Sequence, residues 1–140
     1  MDSHSNIPML AINSDLIEFL FSYGRKRIIP AGETFISEGD DSNNCFVLLD
    51  GEADILKKDE NGSDAVIVRI SKGTIIGEMG VFLEEKRSSS VRAATPLILL
   101  EFTAARFFTA VNNIPELAIR IIKSLAEKLN AANKQTVTTR

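Results

Sequence analysis

Among its 140 residues the sequence has one cysteine, Cys45, and one histidine, His4. A lone cysteine can form no intramolecular disulfide, which fits a reducing compartment. The pair cannot assemble a protein-only zinc site or an iron–sulfur cluster. A Ser–His or Cys–His nucleophile is also missing, because the single histidine sits in a polar N-terminal stretch far from the apolar segments. No apolar run has the length needed to cross a bilayer. The N-terminus lacks a basic start followed by an apolar stretch, so no secretory signal is read and a cytoplasmic protein is expected. Excess positive charge is absent too: 16 Lys and Arg stand against 19 Asp and Glu, a net charge of -3. That balance argues against a nucleic-acid-binding face, which needs basic residues to collect phosphates.

What remains is ordinary for one domain. Hydrophobic content is 44% and charged content 25%, enough for a real core without staples. Residues 1–12 are polar and aperiodic and read as a loose arm, residues 13–134 as the domain, and residues 135–140 as a tail. Asn13 or Ser14 can cap a short helix whose apolar face is Leu16, Ile17, Phe19 and Leu20, ended by Tyr23-Gly24. From Arg25 to Phe102 short apolar runs alternate with breaks. The runs are Arg27–Pro30, Thr34–Ser37, Cys45–Leu49, Ala53–Lys57, Ala65–Ile70, Ser89–Ala94 and Leu97–Phe102. Asp50-Gly51 and Asn61-Gly62 tolerate positive φ and favour tight turns, and Lys57–Glu60 reads as a hairpin tip. Many short strands at regular spacing predict an antiparallel sandwich or barrel. Glu38, Asp40 and Asp41 read as a solvated acidic turn rather than a calcium loop.

After Phe102 the pattern turns helical. Thr103 can cap a helix to about Val111, and a longer helix follows with Pro115 in its first turn. Along it Ala118, Ile122, Leu125, Leu129 and Ala132 are spaced 4, 3, 4 and 3, a heptad-like seam. A second apolar row, Leu117 and Ile121, widens the face near its start. The seam is either the core-facing side of a lone helix or a dimer seam; because it outlasts what the roll could cover, a homodimer through this helix is the expectation.

The segment from Gly77 to Ala93 carries the chemistry. Gly77 precedes a short apolar stretch with a helical start, Glu78–Leu83, and a glycine there lets backbone N–H groups approach an anion. Glu78 can accept hydrogen bonds from sugar hydroxyls. Ten residues on, Arg87 can meet a phosphate through its planar fork, with the hydroxyls of Ser88, Ser89 and Ser90 beside it. By spacing alone the same residues also suit a structural ion pair and a half-buried strand start, and Ser89 and Ser90 fit that plainer reading better.

Gly77-Glu78-Met79, followed by Arg87-Ser88 leading into Val91, resembles the phosphate-binding cassette of cyclic nucleotide-binding domains. Pro30–Asp40 is similar to that family's second-strand hairpin, and Phe46–Ala53 to its strand pair around a Gly-Glu turn. The resemblance runs over residues 14–135. It implies a mainly β fold with flanking α-helices: an antiparallel β jelly roll with an N-terminal helix, a short cassette helix and C-terminal helices. The roles it implies are Glu78 on the ribose 2′-hydroxyl, the amides of Gly77 and Glu78 on sugar and phosphate, and Arg87 and Ser88 on the cyclic phosphate. Met79, Val81 and Val91 would line the apolar wall. In the bacterial activator branch the last helix offers threonine and serine to the adenine. Ala132 and Asn133 align there, so Asn133 is the candidate base contact, with Asn130 as the fallback.

The implied ligand is cyclic AMP, with cyclic GMP also served by Ser88, and no further cofactor is called for. The implied function is a regulatory sensor that couples ligand binding to movement of its C-terminal helix, not an enzyme. Jelly-roll metalloenzymes such as cupins need a histidine cluster that is missing here. The remaining alternative is a degenerate jelly-roll interaction or dimerisation domain without a nucleotide ligand. Activators of this family continue into a DNA-binding helix-turn-helix near where this sequence stops at Arg140. No direct DNA contact is therefore expected from this chain, and an output domain or partner protein is expected to read it.

Overall fold

The structure, a computed structural model, describes residues 14–138. The N-terminal arm with His4 and Asn13 lies outside the described residues. Helix α1 (Ser14–Leu20) leads into eight strands: β1 (Arg25–Ile29), β2 (Thr34–Ile36), β3 (Asn44–Asp50), β4 (Ala53–Lys58), β5 (Asp64–Ile70), β6 (Ile75–Ile76), β7 (Ser90–Ala93) and β8 (Leu97–Thr103). Helix α2 (Glu78–Leu83) interrupts them between β6 and β7, and α3 (Ala104–Asn113) and α4 (Pro115–Thr138) follow. The strands form two four-stranded sheets, β1-β8-β3-β6 and β2-β7-β4-β5. Every pairing is antiparallel. The fold is the antiparallel jelly roll with flanking helices that the sequence implied. Among the described residues no helix is long and apolar enough to cross a membrane.

Alternate residues of a strand point to opposite faces, and here both faces of the central strands are covered. Phe46 and Leu48 of β3 join Ile29, Ile36, Val91, Leu97 and Leu99 inside the roll. Cys45 and Val47 point the other way, where they pack with Leu100, Phe102 and the helix residues Leu16, Leu20, Phe107, Leu117 and Ile121. This is why Cys45–Leu49 reads as a continuous apolar run instead of an alternating one. Phe107 is fully buried and meets Phe82 and Phe102 edge to face, with centroids 5.6 and 6.0 Å away.

Local signals hold the ends of these elements. The β4–β5 hairpin closes over Asp59–Ser63, where the Asp59 carboxylate accepts from the N–H groups of Asn61 and Ser63, both at 2.9 Å. Behind it, Asp54 and Arg69 are direct cross-strand partners joined by two hydrogen bonds of 2.8 and 3.1 Å. Thr103 caps α3 by accepting from the Arg106 N–H at 3.2 Å. Gly51 has φ 95°, and a Cβ there would strike the Pro96 carbonyl, so only glycine fits this turn.

Three details differ from the sequence reading. Phe19 is exposed, because α1 buries Leu16 and Leu20 and lets Phe19 roll outward. On α4 the buried row is Leu117, Ile121 and Ser124, while the seam residues Ile122 and Leu129 are 63% and 64% exposed. The helix also runs to Thr138, through the segment read as a tail from residue 135.

Candidate ligand-binding site

Helix α2 and the turn after it line a half-open cavity of about 420 Å³. That lies within the roughly 300–1,000 Å³ common for small-ligand sites. Ile36, Ile55, Ile76, Met79, Leu83 and Val91 make its apolar walls. The wall is a product of strand register: Val91 on β7 is opposite Ile36 on one side and Ile55 on the other, so the three share the inner face. Gly77, Glu78, Gly80, Glu85, Lys86, Arg87, Ser88 and Ser89 complete the lining.

Gly77 sits at the start of α2 with φ 85°, in the left-handed region. A Cβ there would strike the Arg87 Nη1. The glycine therefore does two jobs: it turns the chain into the helix and leaves room for the guanidinium. Glu78 and Arg87 are only 7% and 8% exposed, although both line the cavity. Arg87 donates from Nη1 to the Gly77 carbonyl at 3.1 Å and from Nη2 to the Asn44 carbonyl and Oδ1 at 2.6 and 2.7 Å. Burial pulls the Arg87 pKa below its usual value, yet a guanidinium stays charged at any physiological pH. Burial, with the nearby Glu78 charge adding to it, pushes the neighbouring Cys45 thiol well above its ordinary range.

The acidic turn is solvated, with Glu38, Asp40 and Asp41 exposed, and its backbone also straps down Arg87. The Gly39 N–H donates to the Arg87 carbonyl at 2.9 Å and the Arg87 N–H to the Asp40 carbonyl at 2.7 Å. The Ser42 hydroxyl donates to the Glu85 carbonyl at 2.6 Å, and Lys86 pairs with Asp41. Ser90 is structural, its Oγ accepting from the Glu38 N–H at 2.9 Å.

Of the residues picked from sequence, Gly77, Glu78, Met79, Arg87, Ser88, Ser89 and Val91 all line this cavity. Val81 does not: it turns to the opposite side of α2 and packs in the core between sheet and helices. Asn133 and Asn130 are exposed on α4 and are not part of the lining. The sequence reading missed Ile36, Ile55 and Ile76, which strand alternation could have pointed to, and Asn44, for which no local signal exists. A separate cleft of about 480 Å³ lies beside Tyr23, Arg25, Glu101 and Arg106. Its Glu101 is already taken by Arg25 and Arg27 at 3.3 and 3.6 Å.

A largely apolar cavity lined by one buried acid and one buried arginine has the make-up of a small-ligand site. Residues 26–113 match the cyclic nucleotide-binding domain family, and the chain belongs to that family. It is 26% identical over 120 residues to the cAMP-activated global transcriptional regulator CRP of Salmonella typhimurium, covering 85% of this chain and 57% of that protein. The chain thus spans a little over half the length of the curated relatives it matches. The catabolite activator protein of Thermus thermophilus has the same fold, with a TM-score of 0.80 at 20% identity over 91% of this chain and 60% of that one. So does the c-di-GMP responsive global regulator CLP of Xanthomonas campestris, with a TM-score of 0.74 at 20% identity over 89% and 63% of the two chains.

Proposed function

We propose that this domain is a sensor for a cyclic mononucleotide, with cyclic AMP as the favoured ligand. One observation carries the reading: the two ends of the cassette, Glu78 and Arg87, meet at a cavity whose other walls are largely apolar. A cyclic nucleotide has matching parts. Its single negative charge suits Arg87 and the Ser88 hydroxyl, its ribose hydroxyl suits the Glu78 carboxylate, and its flat faces suit Ile36, Ile55, Met79 and Val91. The likeness to a cAMP-activated regulator supports cyclic AMP over cyclic GMP.

Asn133 does not line the cavity; in this reading α4 moves to bring it to a bound base, and that movement is the output. Ligand binding then biases a two-position equilibrium of α4, provided its affinity differs between the two positions. The outward Ile122 and Leu129 support pairing of α4 with a second copy of the chain. An output domain or partner protein would read the change, and the unpaired Cys45 suits a cytoplasmic setting.

Titration calorimetry with cyclic AMP and cyclic GMP tests the proposal. Replacing Arg87 by Ala is expected to cost about 2 kcal/mol of affinity or more, the scale of a lost charge-assisted contact. No binding of either nucleotide at millimolar concentration would sink the sensor reading and leave the ligand-free interaction domain in its place.

A further inference from the structure

We propose that Asn44 is the positioning residue for Arg87, and that Glu101 fixes the direction in which the Asn44 amide faces. The inference rests on the reading of Arg87 as the phosphate ligand. A guanidinium carries five N–H bonds in a rigid plane. Both Nη2 donations go to Asn44, one to its carbonyl at 2.6 Å and one to its Oδ1 at 2.7 Å, and one Nη1 donation goes to the Gly77 carbonyl at 3.1 Å. These contacts hold the group from two sides, beside the cavity that Arg87 lines.

The character of the acceptors matters as much as their position. All three are neutral oxygens, so they orient the guanidinium without cancelling its charge. A carboxylate in the same place would hold the arginine as well but would compete with an incoming phosphate for it.

An amide has two ends of nearly the same shape, and their assignment follows from their partners. The Asn44 Nδ2 donates to the Glu101 Oε2 at 2.7 Å. Because an ionised carboxylate only accepts, Glu101 demands the NH2 end and leaves Oδ1 for Arg87. Glu101 is in turn held by Arg25 at 3.3 Å and Arg27 at 3.6 Å. These residues lie on the adjacent strands β1, β8 and β3, where Arg25 pairs with Glu101 and Glu101 with Phe46. The guanidinium is thereby referenced to a rigid sheet rather than to the cassette turn alone.

The test uses the full chain, with cyclic AMP as the titrant, in a double-mutant cycle of Asn44→Ala and Arg87→Ala. Thermal unfolding of each variant checks that it folds. Asn44→Ala is expected to weaken binding about tenfold, and Asn44→Asp by more, because its charge cancels that of Arg87. Glu101→Gln, which frees the amide to turn either way, is expected to cost three- to fivefold and serves if the Asn44 variants do not fold. In the Arg87→Ala background, Asn44→Ala should change affinity less than twofold, which a general structural role would not produce. The proposal is overturned if Asn44→Ala and Glu101→Gln each bind within twofold of the wild type, or if Asn44→Ala costs as much without Arg87 as with it. If Arg87→Ala itself binds like the wild type, the phosphate assignment fails first and this inference falls with it.

Discussion

Replacing Gly77 by alanine separates the two jobs assigned to that residue. Gly77 and Gly62 have nearly the same backbone, φ 85° and 79°. An alanine in this left-handed region costs about 1–2 kcal/mol at either place. The surroundings differ completely. A Cβ on Gly62 meets nothing within 4 Å, whereas one on Gly77 strikes the Arg87 Nη1. In Gly77→Ala the guanidinium must shift and give up its hydrogen bond to the Gly77 carbonyl, a charged contact worth about 1.5–3 kcal/mol. Gly77→Ala should therefore be less stable than Gly62→Ala by about 1–3 kcal/mol. At about 4 °C per kcal/mol for a domain of this size, the gap is roughly 4–12 °C in Tm. Affinity should diverge as well. Gly62→Ala is expected to bind cyclic AMP within twofold of the wild type. Gly77→Ala should lose at least tenfold, about 1.4 kcal/mol. Differential scanning fluorimetry and titration calorimetry on the two variants measure both quantities. Equal affinity in the two would refute the claim that Gly77 makes room for a ligand-binding Arg87.

Further outcomes follow from burial and charge. Cys45 keeps its proton in the folded state above its ordinary value of 9.0, because burial disfavours the thiolate. The unfolded chain loses that proton, so the stability present below pH 9 should decline as pH rises, by up to about 1.4 kcal/mol per pH unit. Denaturant melts from pH 8 to 10.5 should show this decline, and Cys45→Ala should flatten it. Both side chains are mostly exposed in the single chain, so replacing Ile122 and Leu129 by aspartate should shift a dimer to monomer in analytical ultracentrifugation and lower Tm only by the dimer's contribution, a gap that narrows as the protein is diluted. Thr103→Ala should cost about 1 kcal/mol in urea unfolding through loss of the α3 cap, while leaving ligand affinity unaltered.

Much of the fold was legible because its signals are local. Asn61-Gly62 marked a hairpin that the Asp59 carboxylate does close, and Thr103 marked a helix start. Glu78–Leu83 was read with its observed bounds, because Gly77 and a short apolar stretch with polar flanks define it. Strand β6 was not legible. It has two residues, Ile75 and Ile76, buried on opposite faces, and so shows no alternation. The two apolar rows of α4 could not be ranked from sequence, since either could face the sheet. Val81 and Phe19 were misplaced for a related reason: on a helix of six or seven residues, a small rotation decides which side is buried. In the site, the cassette residues are close in sequence and so could be grouped. Asn44 lies 43 residues from Arg87 and meets it only through the tertiary fold.

The two-sided burial of β3 also bears on how the chain finds its alignment. In most strands a slip of one residue turns the apolar face to water, and solvation alone rejects the error. Cys45–Leu48 would suffer no such exposure, because every position between Asn44 and Leu49 is already inside. What discriminates here is size. A slip would put Phe46 where Cys45 or Val47 fits against the helices, and a small side chain where Phe46 meets Phe35 edge to face at 5.4 Å. Overpacking of that kind costs about 1–3 kcal/mol. Asn44 and Asp50 stand at the ends as polar stops, and the irregularity between Leu48 and Asp50 against β8 fixes the count. Pairing fidelity in this strand is thus a matter of volume and of its two ends, so size-conserving changes inside it should be tolerated better than any insertion.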